Sequence, residues 1–231
     1  NEPHAPFFYN GYYHIFYQAN LHAPIWDSIQ WGHLASKDMV HWQDLPLALQ
    51  SEKGFYDELG CWSGSGLVDK DGVQRIYYTA GNSNRFPNQA VALAQPEDTE
   101  EDPLLKKWKK YPSLIKEQDI GWLGEFRDPF VWIENDSYFM LVGTGDEHNG
   151  GGNAALYASS DGLHWGSCGM LVDYDYESNQ RCGHVWELPV LLPLRDDSGK
   201  IVCHIMIFCA CQIEHDIVET YYFLGNWDAS K

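Results

Sequence analysis

An all-β protein built from repeated strand-rich units, the pattern of β-propeller blades, is the fold class that this sequence predicts. Three observations carry the expectation. Pairs of apolar or aromatic stretches are joined by tight-turn residues; a unit of about 60 residues repeats, with openings at Glu2, Ser63, Asp128 and Glu187 spaced by 61, 65 and 59 residues; and no long stretch keeps the 3.6-residue periodicity of a helix.

Each unit justifies its elements in turn. The openings are Glu2-Pro3-His4-Ala5-Pro6, Trp62-Ser63-Gly64-Ser65, Arg127-Asp128-Pro129 and Trp186-Glu187-Leu188-Pro189. A first strand follows each, then a turn at Asn10-Gly11, Asp71-Gly72, Asn135-Asp136 or Asp197-Ser198-Gly199, then a second strand. Asn, Asp and Gly tolerate the positive φ that such hairpin turns require. A later marker repeats 123 residues apart, Ala35-Ser36-Lys37-Asp38-Met39-Val40-His41-Trp42 and Ala158-Ser159-Ser160-Asp161-Gly162-Leu163-His164-Trp165, with Trp108 near the midpoint. The unit is therefore a hairpin, a third strand and a loop ending in Trp, and about four units fill the chain. The acidic-then-basic run from Glu97 to Lys110, with its prolines, predicts a solvated loop. A single domain over 1–231 is expected.

Composition narrows the function. With 15 Lys+Arg against 33 Asp+Glu the formal charge is −18, which repels phosphate backbones and anionic headgroups, so neither nucleic acid nor membrane is an expected partner. No run is long and apolar enough to span a bilayer as a helix, and the first residues lack the basic start and apolar stretch of a signal peptide. Cytoplasmic and secreted locations both stay open. The 34 aromatics supply a large core, and the six cysteines show neither CxxC spacing nor scaffold density, so free buried thiols are expected.

In a propeller the first strand of every blade lines the central channel, so equivalent positions converge there. Three of the four openings are acidic, which predicts Glu2, Asp128 and Glu187 around one funnel with Ser63 in the fourth place. Carboxylates gathered in an aromatic cleft suit glycoside hydrolysis, one as nucleophile and one as proton donor. Trp26, Trp31, Trp62 and Trp186 are the expected sugar platforms, and Trp42, Trp108 and Trp165, which recur in the blade scaffold, are expected in the core. A neutral sugar suits so acidic a protein better than a phosphorylated one.

The order Asn1-Glu2-Pro3-His4, Phe16-Tyr17-Gln18, Trp31 to Trp42, Trp62-Ser63-Gly64-Ser65, Phe126-Arg127-Asp128-Pro129 and Trp186-Glu187-Leu188-Pro189 resembles the catalytic propeller of glycoside hydrolase family 32. That family contains invertases, levanases, inulinases and fructosyltransferases. The resemblance implies a five-bladed propeller, about four blades of it within this chain, without the family's trailing β-sandwich. It implies retaining cleavage of β-fructofuranosides through a fructosyl-enzyme intermediate, with no cofactor. Glu2 then takes the nucleophile's place, Glu187 that of the general acid/base, and Asp128 that of the carboxylate that stabilises the transition state. Asn1, Gln18, Trp26, Trp62, Ser63 and Arg127 match positions lining the fructosyl pocket. Retention requires the two reacting carboxyl groups to lie about 5 to 5.5 Å apart.

Two motifs depart from the family's usual form. Glu2 and His4 stand where it reads Asn-Asp-Pro-Asn, and Leu188 and Val190 where it reads Glu-Cys-Pro-Asp. The extra methylene of Glu2 moves the attacking oxygen by about 1 Å unless the backbone withdraws, a misplacement that can cost about a hundredfold. Two alternatives therefore stand beside hydrolysis: fructosyl transfer at the same site, and a carbohydrate-binding propeller with impaired catalysis. The missing blade implies a longer chain, incomplete here at both ends, or a second copy closing the ring. Asp146-Glu147-His148 and Glu214-His215-Asp216 lack a spaced partner motif, so no metal is expected. Asn135-Asp136-Ser137 is turn chemistry before it is a glycosylation site, and Gly150-Gly151-Gly152 lacks the Lys-Ser/Thr of a phosphate loop.

Overall fold

The computed structural model describes residues 2–112, 114–148, 150–212 and 218–229. Alternating strand patterns and tight turns produce four antiparallel meanders. The first holds β1 (Pro3–Tyr9), β2 (Tyr12–Ala19), β3 (Gln30–Ser36) and β4 (Trp42–Leu49), and the second β5 (Gly60–Val68), β6 (Gln74–Gly81), β7 (Gln89–Pro96) and β8 (Trp108–Lys110). The third holds β9 (Phe126–Glu134), β10 (Ser137–Gly145), β11 (Gly152–Ser159) and β12 (Gly166–Met170). The fourth has three strands among the described residues, β13 (Val185–Arg195), β14 (Ile201–Cys211) and β15 (Val218–Gly225). These are four β-propeller blades, two in each of two compact units, Asn1–Gln118 and Asp119–Lys231. A single turn of 3₁₀ helix at Gln180–Cys182 is the only helical segment among the described residues.

Turn chemistry sets the hairpins. Asn10 and Gly11 take φ of 48° and 80°, and Asn135 and Asp136 take 50° and 63°, the left-handed pair that lets a two-residue turn follow the strand twist. The repeated Ser-x-Asp-x-x-His-Trp stretch is one loop built twice. Ser36 Oγ accepts from Met39 N at 2.9 Å, Asp38 Oδ1 accepts from Val40 N at 2.9 Å and His41 N at 2.8 Å, and His41 Nδ1 meets Asp38 Oδ2 at 2.8 Å. Ser159, Asp161 and His164 reproduce the set at 2.9, 2.8, 2.9 and 2.8 Å. The indoles of Trp42 and Trp108 each close their loop by donating to the carbonyl three residues back, Met39 and Leu105, both at positive φ.

Two expectations change here. Trp42 is 38% exposed, so it latches a hairpin and is not core. The run from Glu97 to Lys110 is an irregular loop only in part: Leu105 is fully buried, Trp108 packs against the first unit's core, and β8 pairs with β7. That core gathers Phe16, Trp31, Leu49, Ile76 and Tyr78; the second unit's gathers Leu141, Trp186, Met206 and Phe208. All six thiols are free, but only Cys61 and Cys182 are buried and Cys168 is exposed.

The first strand of every blade bulges at the same depth. Two residues oppose one at Ala5-Pro6, Trp62-Ser63, Asp128-Pro129 and Leu188-Pro189, against Ile15, Thr79, Val142 and Phe208. Ala5, Asp128 and Leu188 take φ of 50°, 62° and 50°. Pro is tolerated at a bulge because no ladder hydrogen bond is asked of its nitrogen, which explains the Pro that recurs in three openings. The bulges also correct the repeat phase. Asp128 is equivalent to Ala5, Trp62 and Leu188, so Glu187 lies one residue before that position, Ser63 one after and Glu2 three before.

A buried histidine pair ties β2 to β3. His14 Nδ1 and His33 Nε2 lie 3.0 Å apart, and the His33 ring stacks on Phe16. Burial pushes His14 down to about 4, and burial followed by repulsion from His14 pushes His33 down to about 3. Their folded values lie below the unfolded one, about 6.5, so acid protonates the unfolded chain first. The stability they contribute is complete above pH 6.5 and is lost as the pH falls towards 4, at up to about 3 kcal/mol per pH unit for the two together. Thermal unfolding of the first unit's signals should show its melting temperature falling steeply between pH 6.5 and 5; a flat profile there would refute the assignment.

Candidate active site

In the first unit the site grows from the bulge of β1 and its neighbours. Glu2 precedes β1, and its carbonyl accepts from Gln18 N at 3.2 Å, which holds it to the end of β2. Its Oε1 accepts from the Ser63 hydroxyl, Ser63 Oγ accepts from Gln18 Nε2 at 2.6 Å, and His4 Nδ1 stands 3.4 Å from the same Oε1. Thr79 Oγ1 donates to Ser63 O at 3.0 Å, supplying a bond that the bulge in β5 removes from the ladder. Burial raises the Glu2 carboxyl, while hydrogen bonds from His4 and Ser63 and nearby positive charge lower it, leaving the group below its ordinary value. The Trp26 and Trp62 rings lie 5.2 Å apart, and Trp26, 64% exposed, lines a hollow of about 680 Å³ with Gln18, Asn20, Leu21, Pro24 and Ile25.

In the second unit, Arg127 Nε donates to Glu187 Oε1 at 2.9 Å and Nη1 pairs with Glu125. Burial lowers the guanidinium, but Glu187, Asp128 and Glu125 together raise it above its ordinary value, so it stays charged. Asp128 is buried at its bulge, and its Oδ2 accepts from Leu188 N at 3.0 Å, tying the two bulges together. The Cys211 thiol donates to Glu187, and burial followed by that carboxylate pushes the thiol up to about 12. The β13–β14 ladder places it there, with Val185 opposite Cys211 and Glu187 opposite Cys209, and His184 N donates to Cys211 O at 2.9 Å.

Most of the residues expected from the sequence thus gather within their units: Glu2, Gln18, Ser63, Trp26 and Trp62 in the first, Arg127, Asp128 and Glu187 in the second. Asn1 lies outside the described residues, as does Glu214-His215-Asp216. Trp31 and Trp186 are corrected from sugar platforms to core. Both are fully buried; Trp31 Nε1 donates to Trp62 O at 3.1 Å, and Trp186 stacks on Phe208 at 3.7 Å in a seat left open by Gly143 and Gly152. Glu125, Cys211 and Thr79 are the partners that sequence reasoning missed. Only Glu125 carried a local signal, an acid two residues before an arginine. Among the described residues no group of three His, Cys, Asp or Glu side chains could hold a metal ion.

Residues 1–231 match the glycosyl hydrolases family 32 N-terminal domain from end to end. The chain belongs to glycosyl hydrolase family 32. A sucrose-6-phosphate hydrolase of Zymomonas mobilis is 34% identical over all of this chain and 45% of its own length. An acid β-fructofuranosidase of Vicia faba is likewise 34% identical, over all of this chain and 36% of its own length. The crystal structure of fructan 1-exohydrolase IIa from Cichorium intybus superposes with a TM-score of 0.83 at 29% identity, covering all of this chain and 42% of that one. The chain therefore spans less than half the length of these proteins.

Proposed function

We propose that the protein is a retaining glycoside hydrolase of β-fructofuranosidic bonds, with Glu2 as nucleophile, Glu187 as acid/base and Asp128 as the carboxylate that stabilises the transition state. The observation that carries this reading is the Glu2 carboxylate, held below its ordinary value and linked through Ser63 to Gln18, which borders a hollow together with Trp26. In the first step a Glu2 oxygen bonds to the anomeric carbon as the glycosidic C–O bond breaks, and protonated Glu187 gives its proton to the leaving oxygen. In the second, Glu187 takes a proton from water, the water oxygen bonds to the anomeric carbon, and Glu2 is released as carboxylate. Arg127, charged and bonded to Glu187, would restrain that carboxylate between the two steps.

Incubation of the intact protein with sucrose, a short fructo-oligosaccharide, inulin and levan tests the reading: release of fructose is expected. Fructan products at high sucrose would favour transfer, and binding without turnover would overturn catalysis. The charge of −18 adds a discriminating arm. Sucrose should be a better substrate than sucrose 6-phosphate by kcat/KM, by at least about tenfold at low salt, and the gap should narrow as salt screens the repulsion. An equal or reversed preference would assign the phosphorylated substrate.

A further inference from the structure

We propose that His4 is a positioning residue, its Nδ1–H holding the Glu2 carboxylate for attack; this rests on the role of Glu2 as nucleophile. The imidazole stands two residues along from Glu2, with Nδ1 at 3.4 Å from Oε1, the oxygen that also accepts from Ser63. None of the hydrogen bonds among the described residues falls on Oε2. Two donors on one oxygen fix the carboxylate plane and leave the second oxygen to react.

The ring itself has little freedom. His4 is 7% exposed, and its ring lies against Trp31, centroids 4.1 Å apart. Trp31 is fully buried and anchored through Nε1 to Trp62 O. From the neighbouring strands His4 meets uncharged groups, Phe16 paired opposite in β2 and Trp31 in β3, so Glu2 is the charge it faces. The bulge begins at the next residue, Ala5, with φ of 50°. A glutamate side chain has three rotatable bonds, and ordering them costs side-chain entropy. A rigid donor wedged against a buried indole orders them in advance.

Two substitutions separate the donor from the ring. His4→Phe keeps an aromatic wedge without a donor, and His4→Asn places an amide nitrogen near the Nδ1 position. With sucrose as the probe, His4→Phe should lower kcat about ten- to a hundredfold with KM within about threefold. The acid limb of its kcat/KM profile should move to higher pH, because Glu2 loses a group that favours its ionised form. His4→Asn should restore most of both. Equal losses in the two folded variants with an unmoved acid limb would overturn the proposal, as would an unaffected His4→Phe.

A second measurement does not depend on turnover. Nitrogen-15 NMR of the ring should report the Nδ1–H tautomer in the wild type and a changed Nδ1 resonance in Glu2→Gln. An Nε2–H tautomer, or a ring indifferent to Glu2→Gln, refutes the contact. A wild type that retains the contact yet turns over no fructoside overturns the hydrolase reading and leaves the contact established.

Discussion

Glu187→Gln should lower kcat for sucrose by about 10²- to 10⁴-fold, the range set by losing a positioned general acid. The amide keeps a carbonyl oxygen for Arg127 Nε, 2.9 Å away in the wild type, so the fold and the binding of sugar should survive. The diagnostic lies in the leaving group. Fructosyl fluoride needs no proton to depart, so the variant should release a burst of fluoride equal to the enzyme present. It should then stall, because no base activates water for the second step. Azide, which attacks without deprotonation, should restore steady turnover. Equal losses on sucrose and on the fluoride, without a burst, would remove Glu187 from the acid/base role.

Asp57→Ala should cost the first unit about 3–5 kcal/mol, because it strands a largely buried cation. The Asp57 side chain is fully buried, 2.9 Å from Lys110 Nζ, and accepts from the Tyr78 hydroxyl at 2.8 Å and the Cys61 thiol at 3.4 Å. Lys110 has one further hydrogen bond of its own, to Gln50 O at 2.7 Å. Replacing both charges, as in Asp57→Ala with Lys110→Met, should cost clearly less than the two single losses summed, since neither ion is then left alone. Urea unfolding of the four proteins measures this. A single-variant cost below about 1 kcal/mol would mean that water reaches the pair.

What the sequence made legible was local chemistry. Asn10-Gly11 and Asn135-Asp136 announce their turns because few other residues take positive φ cheaply. The Ser-x-Asp-x-x-His-Trp marker repeats because its Ser, Asp and His side chains bond to one another and to the backbone of their own loop. The family motifs mark Glu2, Ser63, Arg127, Asp128 and Glu187 as candidates; in the structure Ser63 bonds to Glu2, Arg127 to Glu187, and Asp128 to Leu188. What stayed hidden depends on contacts distant in sequence. Lys110 looks like one of several solvated lysines until Asp57 is folded onto it, and Cys211 looks like a strand thiol until the β13–β14 ladder brings it to Glu187. Trp31 and Trp186 lie in the family motifs and Trp26 outside them, yet only Trp26 is exposed, and nothing in composition separates a buried indole from an accessible one. Three of the four bulges were visible only as prolines, and the one at Trp62-Ser63 carried none. Their count of two residues against one shifts each acid relative to the repeat, which alignment on the acids themselves could not reveal.

The recurrent bulge also makes each first strand a graft with a fixed seam. Beyond it, the ladder with the second strand continues in ordinary register; before it, one added residue has turned the side chains by half a period. A designer moving Glu187 with Arg127, or Glu2 with Ser63, onto another barrel or sandwich would need to carry Leu188-Pro189 or Ala5-Pro6 along with them. A host strand without that extra residue would present the same side chains to its opposite face.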